Sequence, residues 1–479
     1  MKRIVLIAVA LSLCAALSSV TQAKKYEPTW ESLAKKEATP QWYQDAVLGF
    51  YFHWGAYSVP AIGCWGPHAM YKEGTWQYER VKQLYGTPGT EFGYKDFIPL
   101  WKAEKWDPDE WARLFREAGA DFAGPCAEHH DGFALWDTEF DEWNSVKMGP
   151  GIDIVAKTMD AVRKQGMKTV ITVHYWRTYV FYNYGRVLCP EGVDVRNPAY
   201  AGLYGPDHEI DKMFPTDYPG EDWPESYWRE RVNKTKEIID KFQPDSIWFE
   251  DMDQGQPPDP LKREMLAHYF NAAETWGKEV VLTHKKKQLP DSCSPLDLEV
   301  RVLDEPRRQK WQTDIQLGDS WAYTPDVGSK DVDEIVDLIV NNVSKNGLTL
   351  FSIAPKGDGT LPQEQVEALR ELGQWMAINK PALYATIPAS FATTGTHDWK
   401  SGSMRFLRKE SYLYAIDLEK PIAPVVIKDV QPVPGSEITI LGSSKKLGWH
   451  VEGNNLVIEE LPKPLPCDYA WSFKIKIVE

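Results

Sequence analysis

The sequence predicts an α/β fold: a (β/α)8-like catalytic barrel over residues 24–387, followed by an antiparallel β-sandwich over 388–479. Three observations carry this reading. From Val47 to Asp253 the order strand, polar cluster, loop, helix recurs at least four times, the pattern of parallel βα units. The polar residues sit at successive strand ends, where a barrel gathers its functional side chains. After about Pro388 helical periodicity fades and short alternating segments take over, among them SMRFLR, SYLYAID, EITILG and WSFKIKIV.

The elements follow in order. The N-terminus opens with Lys2 and Arg3, an apolar run from Ile4 to Leu17, and small residues before a cut after Ala23. That is a secretory signal over 1–23, and it places the mature chain outside the cytoplasm, secreted or periplasmic. Leu13 before Cys14, where a small residue is needed, speaks against a lipid anchor. Residues 24–45 are polar and are expected to wrap the outside. Val47–Phe52 reads as the first buried strand and delivers His53. Residues 61–105 show little periodicity and read as a long functional loop. Asp107-Pro108 starts a helix that ends at Gly119. Strands follow at Asp121–Cys126, Met167–Val173, Ser246–Phe249, Lys278–Thr283 and Gly347–Ile353. Helices are expected over Ile152–Gln165, Tyr227–Phe242, Leu261–Trp276, Asp331–Ser344 and Gln363–Ile378. Leu296–Val300 alternates apolar and acidic residues, which puts Asp297 and Glu299 on one face. Trp311–Tyr323 reads as a polar-aromatic loop.

Composition narrows the function. A net charge of −15 makes nucleic acid and anionic membranes poor partners. With 21 Trp, 22 Tyr and 17 Phe, the chain has rings to spare for stacking on flat apolar faces such as those of sugars. Beyond the signal, no run approaches the length of a membrane helix. Past the signal five cysteines remain, an odd number, so at least one thiol stays free.

The stretch KFQPDSIWFEDMD, Lys241–Asp253, organises the candidate site. A buried apolar strand runs straight into Glu250, Asp251 and Asp253, then into Gly255 and three prolines. Alone, an acidic triplet of this kind is more often a solvated loop. Its place in a βα series makes Glu250, with Asp251 in reserve, the candidate nucleophile of a sugar-cleaving enzyme. His129 and His130 follow a strand and raise the question of metal. No third ligand lies at a suitable spacing nearby, and adjacent strand residues face opposite ways.

These residues resemble the α-L-fucosidases of glycoside hydrolase family 29. The matching segments run in family order: GFYFHWGAYSVP (49–60), HHDGFALW (129–136), WNSV (143–146), PDSIWFE (244–250), KEVVLTHKKKQLP (278–290), LDLE (296–299), WQTDIQLGDSW (311–321) and SKNGLTLFSIAPKGDGTLP (344–362). The resemblance implies retaining hydrolysis of a fucosylated glycan with no metal or organic cofactor. It assigns His53, His129 and His130 to the sugar hydroxyls, with Trp65, Tyr175 and Lys285 also in the substrate-binding set. Glu250 stands at the position of the family's nucleophilic Asp, and Glu299 is the matching acid/base. Three departures mark this chain: Glu250 is one methylene longer than Asp, Cys64 replaces a Glu, and Glu128 replaces a basic residue. They keep two rivals in view, a retaining glycosidase on an α-galactoside or sulfated fucan, and a carbohydrate-binding protein of weak activity.

Overall fold

The computed structural model describes residues 25–189, 194–210, 223–250, 257–285, 288–393 and 397–477; Asp251 and the signal segment fall outside them. Eight parallel strands close into a barrel: β1 (Leu48–Phe52), β2 (Phe122–Glu128), β3 (Lys168–Val173), β4 (Ser246–Phe249), β5 (Val281–Lys285), β6 (Leu296–Asp297), β7 (Trp311–Gln316) and β8 (Gly347–Ile353). β1 pairs with both β2 and β8, which closes the ring.

Alternation along each strand sorts the side chains into two layers. Tyr51, Phe122, Val170, Trp248, Val281, Leu348 and Leu350 point inward and fill the lower barrel as one apolar cluster. Gly49 belongs to this layer because a Cβ there would run into the Phe122 ring. The alternate residues Phe50, Phe52, Ile171, Ile247 and Leu282 point outward into the core shared with the helices. Those helices are Pro108–Glu117, Ile154–Lys164, Glu225–Phe242, Asp259–Trp276, Val332–Ser344 and Gln363–Asn379. Asp107 caps the first through the backbone N–H groups of Asp109 and Glu110, at 3.0 and 3.1 Å. Asp153 caps the second at Ala156 N–H, 2.7 Å.

Three sequence expectations are corrected. Trp311–Gln316 is a barrel strand, not a loop. Its inward residues Gln312 and Asp314 are polar because they meet the polar upper interior, which hides the apolar alternation. Residues 24–45 do not only wrap the surface: Tyr43 is fully buried, joins the inner apolar cluster and donates to Gln312 Oε1 at 3.2 Å. The strand expected over Leu296–Val300 stops at Asp297, whose Oδ1 accepts the Glu299 N–H at 2.8 Å. Within the loop expected over 61–105, Trp76–Leu84 forms a helix capped by Thr75.

From Ile387 onward the chain builds two antiparallel sheets. One has the order β10 (Lys400–Ser401), β11 (Met404–Lys409), β12 (Tyr412–Asp417), β17 (Trp471–Lys476), β14 (Thr439–Ile440), with β9 (Ile387–Pro388) on β11. The other is β13 (Val425–Ile427), β16 (Asn455–Ile458), β15 (Trp449–Glu452). Phe406, Leu413, Ile427, Leu456, Ile458 and Phe473 from both sheets share one core, so the pair is a sandwich. It docks on the last barrel helix through Trp375 Nε1 to Ala470 O, 2.9 Å, and Ser472 Oγ to Asn379 Oδ1, 2.8 Å. The five cysteines among the described residues are all free thiols.

Glu128 ties the barrel to its helix layer. The β2–β3 register shifts between Cys126 and Glu128, a bulge that turns Glu128 outward. There it accepts from Arg231 at 3.0 Å and Lys234 at 2.5 Å, both buried on the helix Glu225–Phe242. Replacing Glu128 by Ala strands two buried cations, and the expected loss is about 3–5 kcal/mol. Urea unfolding measures it; a loss below about 1 kcal/mol would show that Arg231 and Lys234 find water instead.

Candidate functional site

The strand alternation that builds the apolar floor carries on upward, and at the next inward position it changes chemistry. Two residues past Tyr51 comes His53; past Thr172, His174; past Trp248, Glu250; past Thr283, Lys285; past Gln312, Asp314. These side chains converge at the C-terminal mouth of the barrel. With Cys64, Trp65, His129, Glu299 and Trp321 most of them line one small, narrow cavity. A larger cleft at the opposite barrel end, beside Trp42, Asp121 and Lys380, has its Lys380–Asp121 pair already joined at 2.6 Å.

Three imidazoles form one wall, with ring centroids 4.9 Å apart for His53–His174 and 5.3 Å for His53–His129 and His129–His174. Their protonation follows from their partners. Ser352 Oγ donates to Trp321 O at 3.1 Å, so it accepts from His53 Nδ1–H at 2.8 Å. His53 Nε2 is left as an acceptor. Burial, and after it the Lys285 charge, push the His53 pKa down to about 3. Burial and the neighbouring imidazoles hold His129 and His174 well below the ordinary histidine range. The wall is therefore neutral at pH 7, with lone pairs available to hydroxyl protons. His129 Nδ1 has no hydrogen-bond partner among the described residues.

The opposite wall is acidic. Glu250 follows β4, its N–H donating to Val173 O at 3.1 Å. Its carboxylate pairs with the Lys285 ammonium, which also holds Glu299 Oε1 at 2.9 Å and sits 4.9 Å above the Trp248 ring. Lys285 is 1% exposed; two carboxylates and an aromatic face offset its desolvation. Glu299 and Val300 have φ of 26° and 56°, a strained turn beside the acid. Below them Asp314 accepts from Tyr51 OH at 3.1 Å, and Asp297 accepts from Gln312 Nε2 at 2.5 Å. Burial, and after it the adjacent Asp297, push Asp314 well above the usual carboxylate range. Among the described residues three sets have metal-ligating atoms within 4.8 Å of one another: the carboxylates Glu250, Glu299 and Asp314, and two histidine–cysteine sets taken up below.

The fold thus brings His53, Trp65, His129, Glu250 and Glu299 to one cavity, with Lys285 pairing the two acids. His130 lies behind the cavity wall, 5.5 Å from the Trp65 ring. Asp251 lies outside the described residues. Tyr175 is a correction: its hydroxyl points away from the cavity to Thr235 and Arg231 on the helix Glu225–Phe242, at 2.5 and 3.2 Å. It is one residue past the inward position, and His174 takes that place. Sequence reasoning passed over His174, Tyr51, Asp314 and Trp321; for the first three, period-two counting from the strand centres is the signal that finds them.

Known proteins resemble this chain along nearly its whole length. A family model described as alpha-L-fucosidase matches residues 13–381. The human plasma alpha-L-fucosidase is 27% identical over 490 residues, covering 95% of this chain and 93% of that protein. The tissue alpha-L-fucosidase of Rattus norvegicus is 28% identical over 485 residues, covering 94% and 92%. Among solved structures, the Thermotoga maritima alpha-fucosidase in complex with fucose superposes with a TM-score of 0.73 at 26% identity, over 94% of this chain and 100% of that one.

The neutral histidines set a pH limit on stability. Unfolded imidazoles protonate near pH 6.5, whereas native His53 does so near 3, and native His68 and His284 near 4. The unfolded state binds more protons in this window, so stability present at pH 7 is lost as pH falls from 6.5 toward 3, at about 1.4 kcal/mol per pH unit for each group. In urea titrations between pH 7 and 4, His53→Asn should flatten the decline by up to that slope. An unchanged slope would mean that native His53 is charged.

Proposed function

Because this chain belongs to the α-L-fucosidase family of glycoside hydrolases, we propose that it releases terminal α-L-fucose from glycans by double displacement. Glu250 attacks the anomeric carbon while Glu299 gives its proton to the departing glycosidic oxygen. A water then enters on the side the aglycone left, Glu299 takes its proton, and the Glu250 ester bond breaks with net retention.

The observation that carries this reading is the spacing of the two acids. Glu250 and Glu299 have carboxylate oxygens within 4.8 Å of each other. Retaining glycosidases keep their carboxyl groups roughly 5–5.5 Å apart, and inverting ones roughly 6.5–9.5 Å to admit a water. Asp314 is as near, but it is buried beneath Tyr51, whereas the Glu299 side chain is 32% exposed, toward where an aglycone would leave. Lys285 bridges both acids in the free protein. Its contact with Glu299 has to open as the sugar enters, because Glu299 must carry a proton when it acts as acid. The His53 Nε2 lone pair accepts a sugar hydroxyl, and Trp65 and Trp321 offer apolar faces to the ring.

A chromogenic α-L-fucoside should be hydrolysed well ahead of the matching α-galactoside. Glu250→Gly should lose at least about a thousandfold in kcat. Azide, entering the vacated space, should restore turnover and yield the β-fucosyl azide. Full activity in that variant removes Glu250 from the role, and a preference for galactoside replaces the substrate. The N-terminal segment supports export of the mature enzyme; sequencing the purified protein should find it beginning at Lys24, and an intact Met1 would refute processing.

A further inference from the structure

The sequence offers His129 and His130 no third metal ligand nearby, but the fold supplies one set from a distance. His53 arrives from the end of β1 and Cys64 from the loop beyond it, and their ligating atoms and that of His129 all lie within 4.8 Å of one another. All three residues are at least 96% buried. Tetrahedral zinc places such atoms about 3.3–3.6 Å apart, a closure within reach of small side-chain rotations.

The donors are prepared in ways a chance cluster is not. His53 gives its Nδ1–H to Ser352, which fixes the ring and bares Nε2, the outer partner that ligating histidines have. His129 Nδ1 is buried with no hydrogen-bond partner among the described residues. Burial holds the Cys64 thiol well above the ordinary thiol range, which the backbone N–H groups of Cys64 and Trp65 offset only in part, so the thiol gives up its proton only as a cation arrives. A second set, His53, Cys126 and His174, is equally close, but Cys126 and His174 Nε2 are both committed to the Thr172 hydroxyl.

We propose that His53, Cys64 and His129 bind a borderline-soft divalent cation of the zinc class, and that cation and sugar compete for one cavity. A sulfur–metal bond forms as the thiol proton passes to water, with no change of oxidation state. Thiolate and imidazole donors favour Zn²⁺ and Cd²⁺ over Mg²⁺ and Ca²⁺. The inference does not need the enzyme to use a metal: the sugar requires the same histidine lone pairs that the cation takes.

Cadmium titration of the purified wild-type protein tests the site without turnover. One equivalent should raise a thiolate-to-cadmium charge-transfer band; Cys64→Ser should abolish it and Cys126→Ser should retain it. No band in the wild type, a band surviving in C64S, or one lost only in C126S overturns the proposal. Should C64S not fold, X-ray absorption of the zinc-loaded wild type decides: one sulfur among nitrogen scatterers supports the site, and a shell of nitrogen and oxygen alone overturns it. Zn²⁺ should also raise the apparent KM for an α-L-fucoside at least tenfold with kcat unchanged, and a fall in kcat at constant KM refutes the overlap. The cadmium band is read independently of any hydrolysis, so its failure is distinct from a failure of the fucosidase reading.

Discussion

Everything at the mouth of this barrel depends on the two-residue period of its parallel strands. Closure forces every second side chain into a space with no solvent. The lower positions answer with Tyr51, Phe122, Val170 and Trp248, and the upper ones with His53, His174, Glu250 and Lys285. The apolar layer is the floor that holds the polar layer in place. Trp248 serves both: it fills the floor and presents its ring to the Lys285 ammonium.

Burial at the mouth sets the charge state of each group. Desolvation keeps the imidazoles neutral and pushes Asp314 above the usual carboxylate range. Lys285 is held between the carboxylates of Glu250 and Glu299. The result is a cavity with acceptors on one wall and paired acids on the other. Glu128 follows the same rule on the outside of the sheet, where a bulge carries its carboxylate to two buried cations. Its buried carboxylate is thereby matched by partners on the neighbouring helix.

The recurring strand–helix grammar, the helix cap at Asp107, and the change of pattern near Pro388 were all legible along the chain, because each is a local signal. So was Glu250, since a short apolar strand announces what it carries at its tip. β7 was hidden, because a strand whose inward face is polar at the top of a barrel lacks apolar alternation. Tyr175 was preferred to His174 for want of a fixed inward register: one residue of offset moves a side chain from the cavity to the helix layer.

By itself, then, the amino-acid order determined the barrel, its appended sandwich and the polar strand ends at the barrel mouth, since hydrophobic period and turn chemistry act between near neighbours. Only the folded chain decided which groups meet. Lys285 between Glu250 and Glu299, Ser352 behind His53, and Cys64 beside His129 join residues 14 to 299 positions apart. Their pairing comes from ring closure and desolvation, which have no counterpart in a linear pattern.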